Sequence, residues 1–265
     1  MQRLLKKLFK KSPKRHTANG LGNTVPQAVP AGYEYAVQGN ENFLDTISGE
    51  KARGTKFLVT GSKNKIQFQH AEHVWLHCDV IGDSNTVDIS EDSQLKNIRL
   101  RIIGHNNSFL IGKGSRLKNS RISIKGSNQT VIIGAFTTIE GCHMLCQERC
   151  NITMGSHCMI SRGIEIRTTD AHSVVDIKSG KRTNSPGSVT IGSHVWLAAN
   201  VFVSKNVRIA DDCIVGAGSV VVKDLPEPHA IYAGVPAVLL RQGVTWNRGR
   251  KSKYSAEELN GWKQE

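Results

Sequence analysis

At 265 residues the chain is long enough to bury one substantial core, and 38% hydrophobic but only 6% aromatic residues, with 25 glycines, suit a thin aliphatic interior with tight corners. The formal charge of +13 is unevenly placed and favours anionic partners. No segment is long and apolar enough to cross a membrane, and the opening MQRLLKKLFKK breaks its apolar stretch with charges and lacks a small-residue cleavage site, so a signal peptide is excluded and a cytoplasmic protein is expected.

Residues 1–15 carry seven basic side chains, Arg3 to Arg15, and no acid, while Leu4, Leu5, Leu8 and Phe9 fall at helical spacing. Such a segment is either a basic amphipathic helix lying on the anionic inner face of the plasma membrane or a disordered basic arm. Nucleic acid is not an expected partner, because no aromatic stacking platform or recognition motif accompanies the basic residues. Pro13, Gly20, Gly22, Pro26, Pro30 and Gly32 make residues 12–32 a linker, and 33–60 is expected to be an N-terminal cap region.

From residue 61 to 224 the sequence repeats. Gly61, Gly82, Gly104 and Gly126 each open a Gly-x-x-Asn/Gln turn, at intervals of 21, 22 and 22 residues, followed by apolar pairs such as Val87/Ile89 and Val131/Ile133. Further on, Ile191, Leu197, Val203, Ile209, Val215 and Val221 recur every six residues. Six matches neither a helix nor an amphipathic strand, but three sixes close one 18-residue triangular coil of a parallel β-helix, stacking Ile191 on Ile209. Ile166 and Ile191 stand 25 residues apart where six would continue the series, so a loop of about 19 residues, at about 167–188, leaves the solenoid. Residues 225–265 depart through Pro226 and Pro228, end with a capping box at Ser255 and Glu258, and are expected to cap the open end of the prism.

Six cysteines without an export signal are expected to stay thiols, with Cys158 and Cys213 as small inward residues. Cys142, Cys146, Cys150 and His143 cluster in sequence, as do His70, His73 and His77, but on a repeating coil these side chains diverge, and no metal is expected.

The stretches GSHCMISRGIEIRTTDAH, VTIGSHVWLAANV, VGAGSVVVKD and AGVPA resemble the left-handed β-helix, hexapeptide-repeat acyltransferases that use acetyl-CoA, and within them the O-acetyltransferases of bacterial capsular polysaccharides, polysialic acid in particular. The similarity is close from about Met154 to Lys251 and weaker from Gly61 to Ile133. The resemblance implies the left hand of the helix, a homotrimer, an acetyl-CoA donor, a polysaccharide acceptor, a catalytic base at His172 and a functional Trp196. Chemistry agrees: a hydroxyl attacking a thioester needs a base that titrates near neutrality, and Asp170, two residues from His172, is placed to orient it. Trp196 closes its hexapeptide beside inward Val195 and should point outward, covered either by a neighbouring subunit or by the donor.

By the same resemblance the donor lies along small residues, Ala198, Ser204, Ala217 and Gly218, with Lys223, Arg241 and Arg248 toward its phosphates and Pro236 near its adenine. These small residues also suit plain corner packing. Two departures stand out: Trp196-Leu197-Ala198 replaces the usual Trp-Ile-Gly, and Val238 replaces the usual Lys after Pro-Ala, leaving Arg241 as its substitute. The sequence predicts an O-acetyltransferase of a bacterial surface polysaccharide; an acetyltransferase for a small acceptor, a non-enzymatic glycan-binding β-helix at the membrane, and a zinc-dependent hydratase of the same fold are the alternatives.

Overall fold

The computed structural model describes residues 16–27, 29, 32–45 and 52–263, so the basic segment 1–15 and its membrane contact lie outside the described residues. The chain winds as a parallel β-solenoid of triangular section. Its first wall includes Thr138–Ile139, Met159–Ile160, Trp196–Leu197 and Ile214–Val215, each strand parallel to the next. The second wall holds Thr55–Thr60, Cys142–Gln147, Ile164–Arg167 and Phe202–Val203, and the third runs from Phe43–Asp45 through Val189–Ile191 to Val207–Ile209. No helix among the described residues is long and apolar enough to cross a membrane.

Alternation explains the section. On every wall inward residues such as Val87, Phe109, Val131, Ile152 and Val189 stack into one aliphatic core, with exposures of 0%. Cys158 and Cys213 are fully buried within it, as their place in the hexapeptide requires. Burial pushes both thiols up to about 12.

In the lower coils the Gly-x-x-Asn corner sits on the ridge between the second and third walls. Gly82 adopts φ +121, and a Cβ there would stand 2.0 Å from the Gly104 carbonyl oxygen, so only glycine fits. The asparagine three residues later points inward. Asn85 Nδ2 donates to Asn64 Oδ1 at 3.0 Å and to the Gly104 carbonyl at 2.9 Å, while its own Oδ1 accepts from Asn107. Asn42, Asn64, Asn85 and Asn107 repeat this contact in consecutive coils, 0–2% exposed, so a chain of amides satisfies the wide corner from inside.

The expected domain start at Gly61 is too late. Tyr33–Gln38 pairs in parallel with Thr55–Thr60, His16–Asn19 pairs with Tyr33–Gln38, and Asn42 donates to Asn23, so the described residues between 16 and 60 are coils of the same solenoid rather than a linker and a cap. Gly20 and Gly39 carry the same corner motif, ending in Asn23 and Asn42.

Beyond the extruded loop the coils shorten. The stacked pair Ile191 and Ile209 is 18 residues apart, whereas Met154 and Ile191 are 37 apart, so 19 residues leave the prism as expected. The C-terminal segment departs from expectation. Ala230–Gly234 and Ala237–Gln242 form an antiparallel pair that finishes the first wall, but the chain then turns back along the solenoid. The helix Ala256–Asn260 opens with the predicted capping box of Ser255 and Glu258.

Candidate active site

The extruded loop is held on both sides. Asp170 forms an ion pair with Lys205 of the coil above, and Arg182 Nη1 meets Glu148 of the coil below at 2.5 Å. Thr169 also donates to Glu148. Inside the loop Asn184 Nδ2 donates to Asp170 Oδ2 at 2.7 Å and to the His172 carbonyl at 2.9 Å, and its Oδ1 accepts from the Val174 amide at 2.7 Å. Lys205 first, then Asn184, hold Asp170 below the usual carboxylate range. Asp170 was expected to orient the His172 imidazole. Its carboxylate is instead taken up by Lys205 and Asn184, so it fixes the backbone that carries His172 and not the ring. His172 itself is exposed on the ridge between the second and third walls.

Trp196 lies on the first wall, which is the side of the triangle opposite that ridge. It points outward, in a column with Met159 and Ile214. Within the chain it is covered by the tail: Trp246, 6% exposed, packs at 6.1 Å between ring centroids. Among the described residues the buried Trp196 Nε1 has no hydrogen-bond partner.

The tail is a strap. The His194 imidazole is stacked against Trp246 and Trp262 at 4.2 and 4.6 Å, both nearly parallel to it, and Trp246 Nε1 donates to the His194 carbonyl at 2.7 Å. Beneath them Asp212 contacts His194 Nδ1 at 2.7 Å and His229 Nδ1 at 2.6 Å, and accepts from Thr245 at 2.7 Å. Burial works to raise Asp212, but these hydrogen bonds outweigh it and leave the carboxyl below its usual range. Arg248, expected near a phosphate, belongs to this strap: its guanidinium donates to Thr138 Oγ1 at 2.8 Å and to the Cys158 carbonyl at 3.1 Å.

The other donor-binding candidates fall in two groups. Ala198, Ala217 and Gly218 gather near the ridge between the first and second walls, Gly218 with φ +71 and open space around it. Ser204 and Lys223 lie toward the ridge of His172, Lys223 lining a hollow of about 520 Å³ with Arg208 and Asn206. Pro236 sits in the turn joining the last two strands and Arg241 on the second of them, opposite Ile231, both exposed. One chain therefore brings Trp196 and Ala198 together, and His172 with Ser204 and Lys223, but keeps these sets on opposite sides.

Sequence reasoning missed His194, Asp212, His229, Trp246 and Trp262. The 18-residue coil offered part of the signal, since His194 and Asp212 are 18 apart and must stack. Nothing local in the tail announces where Trp246 lands. Cys142 and Cys146 both point inward, whereas His73 is buried against Thr55 Oγ1 at 2.9 Å and His77 points outward.

Comparison with known proteins agrees with this architecture. The family model for the bacterial transferase hexapeptide (six repeats) matches residues 188–223. The polysialic acid O-acetyltransferase of Escherichia coli O1:K1 / APEC is 33% identical over 122 residues, 46% of this chain and 39% of that protein. That of Neisseria meningitidis is 34% identical over 121 residues, 46% of this chain and 55% of the relative. The matches thus span about half the length of these curated relatives or less. Among solved structures, the polysialic acid O-acetyltransferase OatWY has a TM-score of 0.73 at 29% identity, covering 76% of this chain and 97% of that one. The polySia specific acetyltransferase NeuO has a TM-score of 0.63 at 29% identity, covering 90% and 91%. Repeat period and coil geometry thus agree with the hexapeptide-repeat match over residues 188–223, and the chain is similar to the polysialic acid O-acetyltransferases in sequence over part of its length and in fold.

Proposed function

We propose that the protein transfers an acetyl group from acetyl-CoA to a hydroxyl of an acidic bacterial surface polysaccharide, sialic acid-containing like the acceptors named for its relatives, at a centre formed between copies of the chain. The observation that carries this reading is the separation of His172 from Trp196 by the full width of the prism, although the family resemblance assigns both to one reaction. A ridge bearing His172, seated on the neighbour's wall bearing Trp196 and Ala198, reunites them. That contact joins different surfaces of two identical chains, and a threefold rotation closes it into a homotrimer.

In such a centre His172 takes the proton of the acceptor hydroxyl as its oxygen attacks the thioester carbonyl. The new C–O bond forms, the C–S bond breaks, and the same imidazole returns the proton to the departing CoA thiolate. The clamp of Lys205, Asn184 and Glu148 holds the segment that carries the base, which lowers the entropic cost of bringing it to the acceptor hydroxyl. The Nε1 of Trp196 has no hydrogen-bond partner among the described residues but lies beneath Trp246, so the tail must shift before it can donate to the donor substrate or to developing negative charge. Lys223, Arg208 and Arg241 are the cations offered to CoA phosphates, and Ala217, Gly218, Ser204 and Pro236 its close approach. The basic segment 1–15 would tether the enzyme to an anionic inner membrane surface; deleting it should abolish low-salt binding to anionic liposomes and leave transfer to soluble glycan intact.

Thiol release from acetyl-CoA over a panel of capsular polysaccharides and their monomers tests the reaction, and a response to small amines alone would refute it. His172→Ala should lower transfer by about two to four orders of magnitude with sedimentation unchanged. Co-assembling His172→Ala and Trp196→Ala chains tests the shared centre: mixed oligomers should regain activity that neither variant has, whereas a centre within one chain gives none.

A further inference from the structure

A groove of about 950 Å³ runs along the ridge between the first and second walls of the lower coils, away from both His172 and Trp196. Its floor is a column of outward side chains held in register by consecutive strands: His77, Arg99, Arg121, His143 and Glu165. At about 4.8 Å per coil this column is about 19 Å long. Like charges directly opposed across a sheet, as Arg99 and Arg121 are, destabilise it. The groove's two carboxylates do not relieve them, because Glu140 pairs with Lys118 at 2.9 Å and Glu165 with Arg167. Among the described residues no carboxylate stands within ion-pair distance of Arg99, Arg121 or Arg162. Burial, reinforced by Arg99 and Lys56, pushes His77 below its ordinary value, a sign of the positive field in the groove.

Trp75 adds a second, independent observation. It occupies the ridge position held in the next coils by Asn97 and Asn119, with left-handed backbone at φ 57, a conformation that asparagine and glycine tolerate and tryptophan rarely adopts. The fold makes room for it: a Cβ on Gly54 would lie 2.4 Å from the indole. Yet the side chain stays 54% exposed, with Arg53 6.0 Å from its ring centroid. Strain that leaves a large aromatic in solvent points to use of its free face.

We propose that this groove is a binding track for an extended anionic glycan, with Trp75 stacking on a sugar ring and Arg99, Arg121 and Arg162 meeting its carboxylates. Arg99 and Arg121 stand one coil apart, a spacing comparable to the length of one sugar residue, and Arg162 lies two coils beyond, so a polymer lying along the axis meets all three cations. Asn97 and Asn119, linked Nδ2 to Oδ1 at 2.8 Å, line the ridge with amide groups for hydroxyls. The same ridge climbs through Gly163 and Asn200 to Gly218, so a chain held here extends toward the small residues of the donor region. One aromatic residue without a series of stacking partners does not suit a nucleic acid. This track rests on the reading of the protein as an acetyltransferase of acidic polysaccharide, and it adds where the acceptor is held far from the reacting hydroxyl.

The test uses the full chain, with polysialic acid as the acidic polymer and dextran as the neutral one. Arg99→Glu/Arg121→Glu should weaken polysialic acid binding, measured without acetyl-CoA, at least about tenfold, and lower the polymer-to-monomer preference in kcat/KM by a similar factor. Arg99→Gln/Arg121→Gln should give a smaller change of the same sign, with thermal unfolding checking that both variants fold. Trp75→Ala should weaken binding about five- to tenfold at high salt as well as low, as lost stacking would. Unchanged polymer binding in the Glu variant overturns the track, as does dissociation of the oligomer in that variant, which would assign the groove to a second copy of the chain. If no acceptor is acetylated but the variants still lose polymer, the enzymatic reading fails and the track stands.

Discussion

The lower and upper halves of this solenoid solve the same corner in different ways. Below residue 130 each coil takes 21 or 22 residues, and the extra length makes a wide corner whose backbone groups are met from inside by Asn42, Asn64, Asn85 and Asn107. Above residue 190 each coil takes 18 or fewer, the corner at Asn206 is tight and exposed, and no interior amide is needed. The ladder stops at Gln129, whose Oε1 is buried without a partner among the described residues, one coil before the ridge reaches Glu148 and two before it releases the loop of His172. A corner with no internal network to preserve is free to emit a loop. That is why the candidate chemistry sits in the short coils and the proposed acceptor track in the long ones.

Removing one rung should break this comparison most sharply. Asn85→Ala strips hydrogen-bond partners from the Gly104 carbonyl and the Asn107 amide, and the loss should be about 3–5 kcal/mol in the denaturation midpoint of the lower coils. Asn206→Ala, at the matching ridge of an upper coil, should cost about 1 kcal/mol, mostly from its left-handed backbone. Equal losses would show that the two corners are not different devices.

Trp246→Ala should cost about 3 kcal/mol and uncover Trp196, read as a red-shifted indole emission, without disturbing the lower coils. Acid should release the strap by another route. Because Asp212 titrates below its unfolded value, its contribution is full at neutral pH and is lost as pH falls below about 4, the unfolded carboxylate range. Asp212→Asn should flatten that acid limb, and hydrogen exchange localised to residues 244–263 is the measurement. The smallest effect is in the core thiols. With Cys158 and Cys213 pushed up to about 12, a thiol reagent at pH 8 should label neither until the chain is unfolded. Their linkage runs the other way: stability present below the unfolded thiol value of about 9 declines as pH rises toward 12.

Much of this was legible in the residues. Ile191 to Val221 gave the coil from period alone, and the gap between Ile166 and Ile191 gave the loop, because any residue count that exceeds a coil must leave the prism. Gly20 to Asn23 and Gly39 to Asn42 carry the corner motif too, but prolines on either side of the first made it look like linker, and the second fell in the stretch read as a cap. The site was legible only in part. His172 and Trp196 rest on resemblance, and which side of the triangle each occupies follows from counting coils. The partners of Asp170 and the course of Trp246 and Arg248 were not legible, since Lys205, Thr138 and Cys158 are remote in sequence and no repeat relates them to the loop or the tail.

The amide ladder also sets a rule for how this protein can change in length over evolutionary time. Each rung is bonded to the rung before it and to the glycine carbonyl after it, so an insertion or deletion between Gly61 and Gln129 that displaces one corner asparagine leaves two rungs unmatched at once. Losing or duplicating a whole coil restores every bond. The lower half should therefore vary among descendants in quanta of one coil, each adding about 4.8 Å of wall. A one-residue change is tolerated only where it leaves the rung bonds intact, as the 21-residue interval from Asn64 to Asn85 does beside the 22-residue interval from Asn85 to Asn107.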